Sequence, residues 1–336
     1  MGQRQPLLLP LLRNIARYRS VAVFKSTFID MLTSFDGRMR TSYNIAGTET
    51  FRWSSSEDAF GSGGNLQNVP KGDKDAEAEV FPLPNVRKLF LPDPGYTIAE
   101  WDLDRADVQV VAWEANDELL KQMLREGVNL HMENAKDLFG SYPTSDSDPR
   151  YKQAKIGVHA SNYGVHAPTL ARELGITINE AERFIKRWFS VHPSIADWHE
   201  RVQDSLYTSR SVQNKFGYRR YYFERVEGLL PEALAWIPQS TVALIIDMGI
   251  VNIYENLPEV QNLLQVHDSV VNQFPTIDTA RHCSEIQEQM LITVPYEDPL
   301  VVPVGVKLSE ISWGDGKDYE LVPLKNVSMT PSGSPQ

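Results

Sequence analysis

The chain has 336 residues, 42% of them hydrophobic, with a formal net charge of −11. That length suffices for one large core or two smaller ones. A lone cysteine, Cys283, excludes a disulfide framework and suits a reducing compartment, and so a cytoplasmic location. The negative total is unevenly spread. Residues 251–320 hold twelve Asp/Glu against three Lys/Arg, whereas residues 1–40 hold seven Lys/Arg against two Asp, and residues 210–225 five cations against one acid. Basic tracks beside an acidic end are compatible with nucleic-acid binding, although charge runs more often are solvated faces. No apolar run reads as long enough to span a bilayer, and the Leu-rich start lacks the small-residue site of a signal peptide.

In chain order, residues 1–35 carry apolar positions at helical spacing through Leu11 and Ile15. Thr41 to Ser56 reads as strand and turn, Asp58 to Gly64 as a glycine-rich loop, and Lys71 to Glu79 as a charged, exposed insertion. Tyr96 to Leu103 is an apolar run of strand length that ends on acids. Helices then dominate: Asp107 to Glu118, Glu118 to Leu124, Leu130 to Phe139, and Arg150 to Tyr163 with Pro149 in place to start it. Thr177 to Ser190 opens with the Thr/Glu spacing of a capping box, and residues 193–208 and 231–256 complete the helical set. Leu263 to Val266 and Val270 to Phe274 form a hairpin around His267-Asp268. Val301 to Leu308 is a further strand, and the Ser/Pro/Gly-rich tail at 327–336 reads as disordered. The pattern is α+β: an antiparallel sheet carrying acidic residues, interrupted by a long helical insertion.

Three distant stretches carry the chemistry. Asp102 stands where a strand would leave the core, and Asp268 sits in a tight turn between hydrophobic flanks. Paired carboxylates on rigid elements are what a two-metal phosphoryl-transfer site requires. Alone, each is an ordinary strand-end or turn residue, and Asp104 and Asp107 compete with Asp102 for the role. Between them lies Lys155, His159 and Tyr163 at four-residue spacing, which places a cation, an imidazole and a phenol on one helix face, joined by Lys152. Without its neighbours this triplet would read as an ordinary amphipathic surface helix.

The order and wording of these stretches resemble family A DNA polymerases of the bacterial polymerase I type, from about residue 10 to about residue 320. The resemblance implies a right-hand polymerase fold: an antiparallel palm sheet, a helical fingers insertion and a truncated helical thumb. Its expected parts are 1–40 for the end of the thumb, 41–113 and 226–326 for the palm, and 114–225 for the fingers with a nucleotide-binding helix at 150–164. It also implies templated addition of deoxynucleotides to a primer 3′-hydroxyl in DNA replication. Two Mg²⁺, with Mn²⁺ able to substitute, would be held by Asp102 and Asp268. Primer-template DNA and dNTPs are the implied partners, with no proofreading exonuclease in this chain and room for another chain that supplies a thumb or exonuclease. No membrane partner is implied.

Residue by residue, Lys155 matches the lysine that contacts the triphosphate, Tyr163 the tyrosine at the helix end, and His131 a histidine that reaches the triphosphate. The family arginine falls on Tyr151, with Arg150 and Lys152 beside it as replacement cations, and its aromatic falls on His159. Asp107 replaces the glutamate that crowds the sugar 2′ position, and Ser269 replaces an accessory glutamate. Thr50 to Ser56 with Arg52, and Asn65 to Pro70 with Asn65, Gln67 and Asn68, match DNA-tracking signatures, as do Arg87, Gln239 and His267. These substitutions resemble a divergent phage-type member, whose location would be a host cytoplasm. The rival expectations are a non-catalytic DNA-binding subunit, a remnant of a split or truncated polymerase, and a metal-dependent nuclease.

Overall fold

A computed structural model describes residues 8–45, 47–70, 83–145 and 148–322. The insertion expected at 71–79 and the tail expected from 327 lie outside these residues. The first described element is α1 (Leu9–Phe24), which runs into a π-helical turn at Lys25–Ile29. Two short strands, β1 (Ser42–Asn44) and β2 (Ser54–Ser56), pair with each other, and β3 (Tyr96–Leu103) enters the main sheet.

Next come α2 (Ala106–Ala115), α3 (Glu118–Arg125), α4 (Leu130–Phe139), α5 (Pro149–Asn162), α6 (Ala167–Leu174), α7 (Ile178–Val191) and α8 (Pro193–Thr208). A small hairpin of β4 (Ser211–Gln213) and β5 (Arg219–Tyr221) precedes the long α9 (Leu230–Asn256). The chain then forms β6 (Gln261–Val266), β7 (Ser269–Pro275), α10 (Thr279–Met290), the short pair β8 (Thr293–Val294) and β9 (Leu300–Val301), β10 (Val304–Ser309) and β11 (Lys317–Tyr319).

Five strands make the main sheet in the order β11-β10-β3-β7-β6, all antiparallel. The sheet is two-faced because β3 alternates. Ala99, Trp101 and Leu103 point into the large core shared with α2, α8, α9 and α10. Trp101 is fully buried there and donates its indole N–H to Asn272 Oδ1 on the neighbouring strand (3.2 Å). The opposite face, with Ile98, packs on a second, smaller core of Phe24, Phe28, Leu66, Val69, Val86 and Trp313. The alternation thus leaves Asp102 on the face away from the main core.

The expected hairpin at His267-Asp268 and the α+β class are present. The sheet is larger than expected, since β11 is too short to show a period. β10 starts only at Val304, because Pro303 has no N–H to give the ladder. Helices α6 and α10 were also not foreseen; α6 is one short amphipathic stretch between Pro168 and Gly175. One expectation is corrected: α9, by length and composition, is apolar enough to cross a membrane. Two-thirds of that apolar window is buried in the core, which accounts for its composition.

The capping box at α7 is formed as read: Thr177 Oγ1 accepts from Glu180 N, and the Glu180 carboxylate accepts from Thr177 N. Thr177→Ala is expected to cost about 1 kcal/mol, seen as a fall in Tm of roughly 2–4 °C in a thermal melt.

Candidate active site

Antiparallel register brings the two acids together. Asp102 pairs with Ser269 on β7 and with Gly305 on β10. Leu103 N, at the end of β3, donates to the carbonyl of Asp268 (3.2 Å), just before β7, so the two strand ends are clamped side by side. Asp268 itself lies in a two-residue turn whose first residue, His267, is left-handed (φ 55°). A side chain at Gly305 would have met open space, so the sheet surface beside Asp102 is clear.

The chain leaves β3 through a sharp bend, with Arg105 left-handed (φ 50°). Asp104 is held there by an ion pair with Arg105, which also donates to Val128 O. Asp104 is therefore tied to the bend, and Asp107 is carried into the first turn of α2.

Asp107 is largely buried. Burial first, and then the charge of Asp268, push its carboxyl above the ordinary range, against the pull of Arg52, His159 and Tyr163. Burial, followed by the neighbouring Asp107 carboxylate, pushes the Tyr163 phenol well above its usual value. The end of α5 thus sits beside the start of α2. A carboxyl whose folded pKa is raised favours the fold below its unfolded pKa of about 4, and that contribution is lost as pH rises through the folded value. Asp107→Asn is accordingly expected to raise Tm at neutral pH, with the gain shrinking as melts are taken toward acid.

Helix α5 starts on Asp148, whose side chain accepts from Arg150 N, with Pro149 at the first position. Its buried face is Ala154, Gly157, Val158 and Ser161. Gly157 lets α5 approach α7 closely: a Cβ there would lie 2.1 Å from Phe184 Cζ. The face turned outward carries Lys152, Lys155 and His159. Its last turn is pinned by Trp188, which donates to Asn162 Oδ1 (3.1 Å). Tyr163 takes the C-cap, with His159 edge-on to its ring at 4.8 Å. Gly164 then turns the chain at φ 69°.

Arg52 closes the group, its Nη2 lying 3.1 Å from Asp268 Oδ1. A guanidinium thus balances charge where Asp268 and Asp107 crowd each other. For a hard divalent cation the donors are suitable: carboxylate oxygens of Asp102 and Asp268 on a rigid sheet end, the kind of set Mg²⁺ completes with water and phosphate oxygens. Ser269 adds nothing to it, since its hydroxyl is buried and donates to Val266 O (2.8 Å). Among the described residues no cluster of three or more His, Cys, Asp or Glu is poised for a metal.

Residues 5–315 match the family described as DNA polymerase family A. The chain belongs to DNA polymerase family A. It is 33% identical over 312 residues to the thermostable DNA polymerase I of Thermus filiformis, covering 88% of this chain and 36% of that protein. With the thermostable DNA polymerase I of Thermus aquaticus the identity is 31% over 312 residues, covering 88% of this chain and 36% of the relative. With DNA polymerase I of Chloroflexus aurantiacus it is 30% over 315 residues, covering 90% and 32%. The chain therefore spans about a third of the length of the curated relatives it matches. A solved structure, the POL domain of Pol1 from M. smegmatis in complex with DNA primer-template and dNTP, superposes with a TM-score of 0.79. It is 23% identical, and the match covers 93% of this chain and 55% of that one, which shows the fold.

Within this family A chain, Asp102, Asp268, Asp107, Tyr163, His159 and Arg52 converge. His131 lies in the first turn of α4, edge-on to Tyr151 of α5 at 5.4 Å, so the histidine and the residue at the family arginine position pack together. Gln239 is half-buried on α9, while Asn68 and His267 are exposed. Asn65 is half-buried and caps a short helical turn by accepting from Gln67 N.

Three residues stand differently from the expectation. Arg87, expected to touch a DNA backbone, is buried: it donates to Val69 O and Glu100 Oε1 and stacks on the Trp313 ring at 3.9 Å. A guanidinium so fully engaged inside holds the smaller core together. Arg150, offered as a nucleotide-binding cation, forks onto Asp148 and donates to Ser141 at the helix start, about 140° around the helix from Lys155. Gln67, expected on DNA, is buried and donates to Gln265 Oε1 (2.5 Å).

Gln265 and Tyr43 escaped the sequence reading. The Tyr43 hydroxyl donates to Gln265 O and accepts from Gln265 N, both at 3.0 Å, and Tyr43 stacks edge-on against Trp53. The available signal was one glutamine inside the apolar strand Leu263 to Val266, an amide that a buried strand must satisfy.

Proposed function

We propose that this chain is the polymerase module of a DNA-directed DNA polymerase, which adds deoxynucleoside monophosphates from dNTPs to a primer 3′-hydroxyl in DNA replication. The observation that carries the reading is the meeting of Asp102 and Asp268 at one sheet end, with Asp107 and Tyr163 beside them at the end of the helix that bears Lys155. The relatives are named DNA polymerase I, and the structural neighbour was solved with primer-template and dNTP, which supports the same substrates here.

In this reading the main sheet with α2 and α9 is the palm, α3 to α8 are the fingers and α1 belongs to the thumb. Asp102 and Asp268 would hold two Mg²⁺. When bound, these ions lower the pKa of the primer hydroxyl and neutralise charge on the triphosphate and the departing pyrophosphate. Lys155 offers an ammonium to the triphosphate on the outward face of α5. Tyr163 and His159 would offer an aromatic step to the base and sugar, and Asp107 occupies the position of the family glutamate that crowds the sugar 2′ position. Arg52, now on Asp268, is the cation that can turn to minor-groove acceptors common to all correct base pairs.

A non-catalytic DNA-binding role fits less well, because paired carboxylates repel a phosphate backbone unless a cation joins them. A nuclease would not need the Lys155 to Tyr163 face. Lys155→Ala is expected to lower the rate of nucleotide incorporation about 100-fold, with most of the loss recovered at high dNTP if the lysine mainly binds triphosphate. Primer extension on a DNA hairpin tests the function itself. Growth with Mg²⁺ that EDTA stops supports it, and duplex binding without growth at any metal concentration refutes it.

A further inference from the structure

We propose that Gln67 and Gln265 form a positioning relay for the His267-Asp268 turn, so that Gln67 acts on the carboxylate and not on DNA. The inference rests on the polymerase reading for the role of Asp268. The relay itself is a matter of hydrogen bonds. Gln265 is only 4% exposed and Gln67 8%. Gln67 Nε2 donates to Gln265 Oε1 (2.5 Å), and Gln265 Nε2 donates in turn to the carbonyl of His267 (2.6 Å). An amide offers one acceptor and two donors, so each link fixes the orientation of the next. The backbone of Gln265 cannot shift to accommodate a change, because the Tyr43 hydroxyl clasps both its N–H and its C=O.

The turn needs such support. His267 is a non-glycine residue at φ 55°, a conformation that persists only where its surroundings over-determine it. The residue after it carries the carboxylate that must stay in register with Asp102. At the other end, Gln67 is set by its own loop. Its N–H donates to Asn65 Oδ1 (3.1 Å), and the neighbouring Leu66 is 1% exposed with its N–H on Ser55 Oγ (2.9 Å). A loop whose exposed residue is Asn68 is thus wired to the catalytic turn through a buried pair of amides. Removing the Gln67 donor leaves Gln265 Oε1 buried and unsatisfied, and the amide is then free to leave His267.

The test uses the full chain with Gln67→Met, Gln265→Leu and the double variant. Hydrogen exchange of residues 261–275 reads the turn directly. Anisotropy of a labelled hairpin reads DNA affinity, and single-turnover incorporation reads chemistry. Gln67→Met is expected to speed exchange in the turn and to slow incorporation about 10-fold or more, while hairpin affinity stays within about 2-fold and the double variant is no worse than Gln265→Leu alone. Turn exchange unchanged in Gln67→Met, with weakened DNA affinity, would overturn the relay and restore Gln67 as a DNA contact; losses that simply add would also overturn it. Should Gln265→Leu fail to fold, Gln67→Glu beside Gln67→Met carries the test, since both must loosen the turn. Because exchange needs no activity, a wild-type chain that extends no primer would refute the polymerase reading while the relay is still judged.

Discussion

Asp102→Ala and Asp268→Ala are each expected to lower primer extension on the order of 10³-fold or more, while the thermal melt and the affinity for a DNA hairpin are kept. The expectation follows from where the acids sit. Asp102 lies on the sheet face away from the main core, and Asp268, half-buried, lies in the two-residue turn and pairs with Arg52, so neither contributes apolar packing. The backbone bond from Leu103 N to Asp268 O survives both changes. Removing Asp268 also releases Arg52, whose cation then faces any incoming phosphate. Duplex affinity is therefore expected to hold or rise, and a parallel fall in affinity and extension would show instead that the acids act structurally. Asp104→Ala is the internal contrast. Asp104 is tied to Arg105 at the bend, and its loss is expected to leave far more activity than loss of Asp102.

Trp101→Ala is expected to be the most damaging single change to stability. Trp101 is fully buried beside Asp102, and its indole N–H satisfies Asn272 Oδ1 across the sheet. Truncation to Ala costs about 3–5 kcal/mol at a well-packed core site, a large part of the 5–15 kcal/mol that is typical of a whole protein (about 0.05–0.15 per residue). The expected fall in Tm is roughly 6–20 °C, measured by calorimetry or circular dichroism. Trp101→Phe keeps most of the volume and should recover most of the loss, leaving the Asn272 hydrogen bond as the difference. Recovery by Phe of none of it would mean that the cross-strand bond, and not the packing, holds the strand pair.

Much of the candidate site was legible in the chain because its parts are local. A strand that ends on an acid, a turn of two residues between apolar flanks, and three side chains at four-residue spacing each report through a short window. Pro149 and the Thr177/Glu180 pair announce their helix starts for the same reason. What stayed hidden depends on partners distant in sequence. Arg87 looks like a surface cation until Glu100, Val69 and Trp313 close around it. Gln67 sits among asparagines that suggest a solvated loop, and only the fold shows Gln265, 198 residues away, as its acceptor. Arg150 is taken by Asp148 two residues earlier, a local bond that outcompetes the reach to the outward face of α5. The short strand β11 has too few residues to show a period, and its place follows only from pairing with β10.

The central claim is that these residues add the nucleotide that a template specifies. The most direct measurement is rapid-quench incorporation of single dNTPs at a hairpin primer end with Mg²⁺, one template base at a time, with Asp102→Ala alongside. Each template base is expected to draw its complementary deoxynucleotide far faster than the other three, and the variant to incorporate none of them at a comparable rate. Wild-type protein that binds the hairpin and adds no nucleotide, or that adds all four irrespective of template, would contradict it.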